Sequence, residues 1–125
     1  MPDIAPPPAR EGGGSHIFEL RQYESDNSLT LERKVGMFNG GEIDIFRKSK
    51  MRPVFFGHML FGSKMPNLVY MLAFDDLEAR AKAWGTFVRS PEWTELKNRP
   101  GLSDAEIVSN ISNSILSGVA GSDIR

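Results

Sequence analysis

The 125-residue sequence contains no cysteine. Disulfides, thiolate nucleophiles and cysteine metal sites are thereby excluded. Histidine is nearly as scarce, with only His16 and His58. Two histidines without cysteine make no structural zinc set, and no ligand spacing supports a carboxylate-assisted metal site; no metal and no cofactor are expected. No apolar run approaches the roughly 20 residues a membrane helix needs, so no membrane span is expected. The N-terminus lacks the basic start and apolar core of a signal peptide. The expectation is a soluble, cytoplasmic protein, with an upstream removed leader left open. Lysine and arginine number 15 against 16 acidic residues, and no basic stripe stands out, which argues against nucleic acid as a partner. Gly12-Gly13-Gly14 lacks the flanking strand and helix of a phosphate loop. The serines near the C-terminus have no glycine-flanked elbow.

What the chain does hold is a pair of apolar, aromatic-rich runs. Pro53–Phe61 and Leu68–Phe74 flank Gly62-Ser63-Lys64-Met65-Pro66-Asn67, a strand–turn–strand signal. Val54, Phe56 and Leu60 fill one face of the first run, and Phe55, Met59 and Phe61 the other. Strands apolar on both faces are usually buried on both.

The remaining segments follow from composition and period. Residues 1–15, rich in proline and glycine, read as a flexible arm. His16–Tyr23 alternates as a strand, with Phe18 and Leu20 on one face and Glu19, Arg21 and Tyr23 on the other. Ser28–Lys50 carries Leu31, Val35 and Phe38 at helical spacing, with Asn27 or Ser28 as cap, and bends or breaks near Gly40-Gly41, where another backbone could approach closely. A second helix starts after Asp75 or Asp76 and buries a stripe of Leu77, Ala81, Trp84 and Val88, with Phe87 beside it and Arg80 and Lys82 outside it. Ser90-Pro91 restarts a short turn that folds Trp93 and Leu96 onto the core. Glu106–Leu116 reads as the fourth strand, and residues 117–125 as a flexible tail.

The order β-α-β-β-α-β is the ferredoxin-like, split βαβ unit of an α+β domain spanning residues 16–116. Two helices cover one face of a four-stranded sheet, yet the central runs are apolar on both. A second copy packed sheet against sheet removes the exposure, so a homodimer, the dimeric α+β barrel, is expected.

At the residue level the chain resembles the NIPSNAP family. Phe18-Glu19-Leu20-Arg21-Gln22-Tyr23 is similar to its Glu-Leu-Arg-x-Tyr opening. Met65–Leu77 and the stretch from Ala83-Trp84 to Ser90-Pro91-Glu92-Trp93 follow its pattern. The resemblance implies the dimeric α+β barrel and supplies no agreed catalytic residues. Eukaryotic relatives are linked to mitochondria and organelle quality control, a role that does not transfer to a single-domain chain.

Glu19, Arg21 and Tyr23 form the most suggestive set. With the first strand central in the usual strand order, their face is expected to point into the barrel interior, joined by Tyr70 and by Asn110 or Ser112. A carboxylate, a guanidinium and a phenol in an apolar wall can orient a small ligand, and Glu19 or Arg21 could act in catalysis. The competing reading is a satisfied charge pair that fixes register. His58, expected on a strand face with Val54 and Phe56, is a candidate general base or a hydrogen-bonded structural histidine. Two functions remain open: a small-molecule binder, cofactor-independent if an enzyme, or a structural or interaction module with a filled core.

Overall fold

Strand alternation and helical stripes produce a four-stranded antiparallel sheet with its helical layer in the computed structural model, which describes residues 6–125. The elements are β1 (Ile17–Glu24), α1 (Ser28–Met37), a π-helical turn (Phe38–Glu42), α2 (Ile43–Lys48), β2 (Arg52–Gly57), β3 (Asn67–Phe74), α3 (Leu77–Arg89), α4 (Pro91–Lys97), α5 (Asp104–Ile107) and β4 (Asn110–Ser117). Sheet order is β2-β3-β1-β4, all antiparallel, so β1 is central between β3 and β4 as expected. No helix among the described residues is long and apolar enough to cross a membrane.

Local chemistry sets the element ends. Asn27 caps α1 by accepting from the Thr30 amide at 3.0 Å. Asp76 does the same for α3 through Ala79, and Ser90 caps α4 with Pro91 in its first turn. The long first helix is three pieces rather than one. Gly41 leaves helical dihedrals (φ 160°, ψ −29°), and the chain widens into a π turn there. Among the described residues no second backbone approaches the pair: a side chain on Gly41 would first meet Leu96 Cδ2 at 3.7 Å.

The core fills the space between helices and sheet. Phe38, Phe46, Tyr70 and Phe87 pack ring to ring there, with Leu68, Leu72, Phe74 and Ile107. A smaller cluster of Phe18, Val54 and Ala73 lies on the opposite, outer face of the sheet, with Met71 and Ile124 against it.

Several expectations need correction. β2 ends at Gly57, and residues 58–66 form an irregular loop. Its pairing slips between Pro53 and Phe55, where proline offers no ladder donor, and that slip parts Val54 from Phe56. Phe56 joins the helix-side core while Val54 and the partly exposed Phe55 turn outward. The fourth strand begins four residues later than expected, because Ser103 and Glu106 form a capping box and residues 104–107 coil into α5. The segments flanking the sheet make described contacts with it and with each other. Ile124 packs on the outer-face cluster, and His16 Nδ1 lies 3.1 Å from the Arg125 carbonyl. Gly118 is required at this return, since a Cβ there would lie 2.7 Å from the Ile124 carbonyl oxygen. Of the arm expected over residues 1–15, residues 1–5 lie outside the described residues; Arg10 donates to the Asp75 carbonyl at 2.7 Å.

Candidate functional site

Register decides which side chains can meet. Arg21 sits opposite Tyr70 on β3 and opposite Asn113 on β4, so these three share one face with Glu19 and Tyr23. That face is the helix side. The expectation that Glu19, Arg21 and Tyr23 look away from the helices is therefore reversed. Tyr23 and Tyr70 belong to the helix-side core, and Glu19 is 0 % exposed.

Glu19 is the hub. Its Oε1 accepts from Arg21 Nη1 (2.6 Å), Arg80 Nη2 (2.8 Å) and Asn113 Nδ2 (3.1 Å). Its Oε2 accepts from Arg80 Nε (2.7 Å) and Trp84 Nε1 (2.8 Å). Five donors on two oxygens more than fill the roughly four lone-pair sites of a carboxylate. Burial alone would push this carboxyl up, but the bonds from Arg80, Trp84 and Arg21 outweigh it and hold Glu19 below the ordinary glutamate value. Glu19 is thus an ionised anchor and a poor proton donor.

The network continues inward from Arg21. Its guanidinium lies 4.6 Å from the Trp84 ring centre, and its Nε donates to the Tyr23 hydroxyl at 3.2 Å. The Tyr70 hydroxyl donates to Tyr23 at 2.9 Å. Burial raises the Tyr23 phenol above its usual value, so both phenols stay neutral at ordinary pH.

Beyond Tyr23 lies a second charged group that sequence patterning missed. Lys34 is fully buried, its Nζ 3.4 Å from Glu42 Oε2 and 3.0 Å from Asp104 Oδ1. The rings of Tyr23, Phe38 and Trp93 surround the ammonium at 5.2–5.6 Å. Burial pushes Glu42 up to about 7, only partly offset by Lys34. For Lys34, burial lowers the pKa, and Glu42 with Asp104 more than restores it. The π turn is what carries Glu42 back toward Lys34, eight residues earlier. A lysine within an apolar stripe, three residues after Leu31, was the available signal.

Three candidates fall outside this constellation. Asn110 pairs with Glu24 in register and bonds its carboxylate, on the other face of the sheet. Ser112, also on that other face, accepts from Lys64 at 2.7 Å. Asn113 takes the position expected for Asn110. His58 lies just past β2 and is exposed, with no strand face to share.

Access to the hub is from its rim. Arg21, Arg80 and Trp84 are partly exposed, and beside them the helix side of β4 is uncovered: Ile111 and Ile115 stand 42 % and 46 % exposed. Counting Glu19 with its two arginines, the rim carries one excess positive charge.

The NIPSNAP family model matches residues 18–123. An uncharacterised NIPSNAP-like domain protein from Burkholderia xenovorans is similar at 22 % identity and TM-score 0.74, covering 86 % of this chain and 88 % of that one. A dimeric ferredoxin-like protein from an uncultured marine organism aligns at TM-score 0.59 and 13 % identity, over 89 % and 93 % of the two chains. A monooxygenase from Streptomyces coelicolor, in complex with Nanaomycin D, aligns at TM-score 0.56 and 16 % identity, over 86 % and 90 %. No curated protein matches. The matched span takes in both sides of the Glu19 network, β1 and α3, and the chain belongs to the NIPSNAP family.

Proposed function

We propose that this NIPSNAP protein acts as a homodimer, outer sheet face against outer sheet face, and that each subunit binds a small organic molecule at the rim of Arg21, Arg80 and Trp84. The observation carrying the ligand reading is the Glu19 carboxylate. It fixes two guanidinium groups and an indole from one buried point, leaving a preorganised cationic, aromatic edge beside bare Ile111 and Ile115. Such an edge suits a planar molecule with a carboxylate or enolate. In this reading Glu19 positions the arginines and does not react. The fold admits such use: the Streptomyces monooxygenase binds Nanaomycin D. The dimer reading draws on the unshielded outer face, where Leu20, Phe55 and Met71 have no helix above them, and on the dimeric ferredoxin-like relative.

A second reading, an interaction module with a filled core, is favoured by the 0 % exposure of both Glu19 and Tyr70, and by clefts of about 570 and 310 Å³ that lie elsewhere. Native mass spectrometry separates the two, with 1-hydroxy-2-naphthoate as probe. Binding that is saturable in the parent and lost in Arg80→Gln supports the ligand site. No binding by a folded dimer leaves the interaction module standing instead.

A further inference from the structure

A cleft that shares no residue with the Glu19 network lies where the end of α2, the start of β2, the end of β3 and α3 converge. Its volume is about 310 Å³. Phe74, Ala79 and Ala83 give it an apolar wall. Lys48, Lys50, Arg52 and Lys82 line it against a single carboxylate, Asp75, in a chain whose net charge is −1. The cations are not equally committed. Arg52 is bonded to Asp75; Lys48 and Lys82 make exposed pairs with Glu92 and Glu78 at 3.7 and 2.6 Å. Lys50 makes no ion pair among the described residues.

Two further features point to an occupant. Ser49 lines the cleft at 3 % exposure and brings a hydroxyl, both donor and acceptor, to the basic wall. Next to it, Lys50 holds a left-handed backbone, φ 63°. Its amide donates to the Arg47 carbonyl at 3.1 Å, and the Met51 amide returns to Phe46 at 2.9 Å. Glycine is the usual residue in this helix-ending position, and a side chain is kept there at a conformational cost. Among the described residues, the one lining cation without an ion-pair partner therefore occupies the left-handed position on the wall.

We infer that this cleft binds a small phosphate monoester, its phosphate at Ser49, Lys50 and Lys82 and its organic part against Phe74, Ala79 and Ala83. A phosphate monoester carries close to two negative charges near neutral pH and three acceptor oxygens, which match two ammonium groups and a hydroxyl. The volume is at the lower end of ligand sites, which suits a compact ester and not a nucleotide.

Calorimetric titration of the full chain with phenyl phosphate tests this. Saturable binding is expected, weaker for inorganic phosphate, which leaves the apolar wall uncovered, and weaker for succinate. Lys50→Gly should weaken phenyl phosphate binding roughly fivefold, the loss of one exposed charge contact, while melting no lower than the parent. Lys82→Gln should act in the same direction and serves if Lys50→Gly misfolds. Absence of saturable binding overturns the proposal. So does affinity unchanged by both variants, or equal affinity for phenyl phosphate and either succinate or inorganic phosphate.

Discussion

Arg80 of α3 grips Glu19 of β1 with two nitrogens, Nε at 2.7 Å and Nη2 at 2.8 Å, and so ties the helix to the central strand. This pair sets how α3 lies. An apolar stripe of Leu77, Ala81, Trp84 and Val88 was expected to face the sheet, yet Leu77 and Val88 are 61 % and 52 % exposed. Arg80, Ala83, Trp84 and Phe87 face inward instead. The carboxylate recruits an arginine into the interface and rotates the helix.

Glu19→Gln keeps the shape and removes the charge. Two guanidinium groups then lose their counter-charge in a partly buried setting, and about 2–4 kcal/mol of unfolding free energy should be lost. Lys82→Ala, on the exposed side, should change stability by less than about 0.5 kcal/mol. Equal midpoints in urea for the two variants would show that Glu19 anchors nothing.

Trp84→Phe isolates the indole N–H. The ring is retained, one bond to Glu19 disappears, and about 1–2 kcal/mol should be lost. A melting curve indistinguishable from the parent would contradict the assigned bond.

Glu42 gives a pH signature. Its folded-state pKa of about 7 lies above the ordinary 4.5, so the folded state holds the proton more tightly than the unfolded chain does. Stability from this group is full below 4.5 and is lost as pH rises through about 7. Glu42→Gln should flatten the decline across that window. Lys34→Met should be less damaging at pH 5 than at pH 8, where an ionised Glu42 stays buried without its nearest cation. A parent protein whose stability rises from pH 5 to pH 7, with the rise unchanged in Glu42→Gln, would refute the raised pKa.

Removing residues 1–14 should shift the melting temperature by only a few degrees, about 1 kcal/mol or less for a domain of this size. The described contact, Arg10 on the Asp75 carbonyl, is exposed. A drop much larger than this would mean that the arm is part of the folded unit.

Much of this architecture was legible because period-two and helical patterns report burial directly. Element order came from such signals; strand order followed from the ferredoxin-like topology, the start of α4 from the Ser90-Pro91 cap, and the interrupted first helix from Gly40-Gly41. The members Glu19, Arg21, Tyr23 and Tyr70 were legible too. Their direction was not: β3 is apolar on both faces, so nothing in β1 alone says which face the helices cover. Arg80 and Lys34 were hidden because charge patterning assigns them to solvent, whereas specific partners bring them in. The β2 slip was hidden for a local reason. A proline at the start of an edge strand can sit in or out of register, and one residue of shift exchanged the faces that strict alternation from Val54 gives Phe55 and Phe56.

That exchange makes the proposed dimer testable at two adjacent residues. Light scattering coupled to size exclusion, at micromolar protein, should give twice the 13.9 kDa chain mass for the parent. Phe55→Asp, on the outer face, should give a folded monomer. Phe56→Asp, in the helix-side core against Phe38 and Tyr70, should lower the melting temperature of whatever species remains. A parent of monomer mass, or a Phe55→Asp variant that stays fully dimeric, would contradict pairing through the outer face of the sheet.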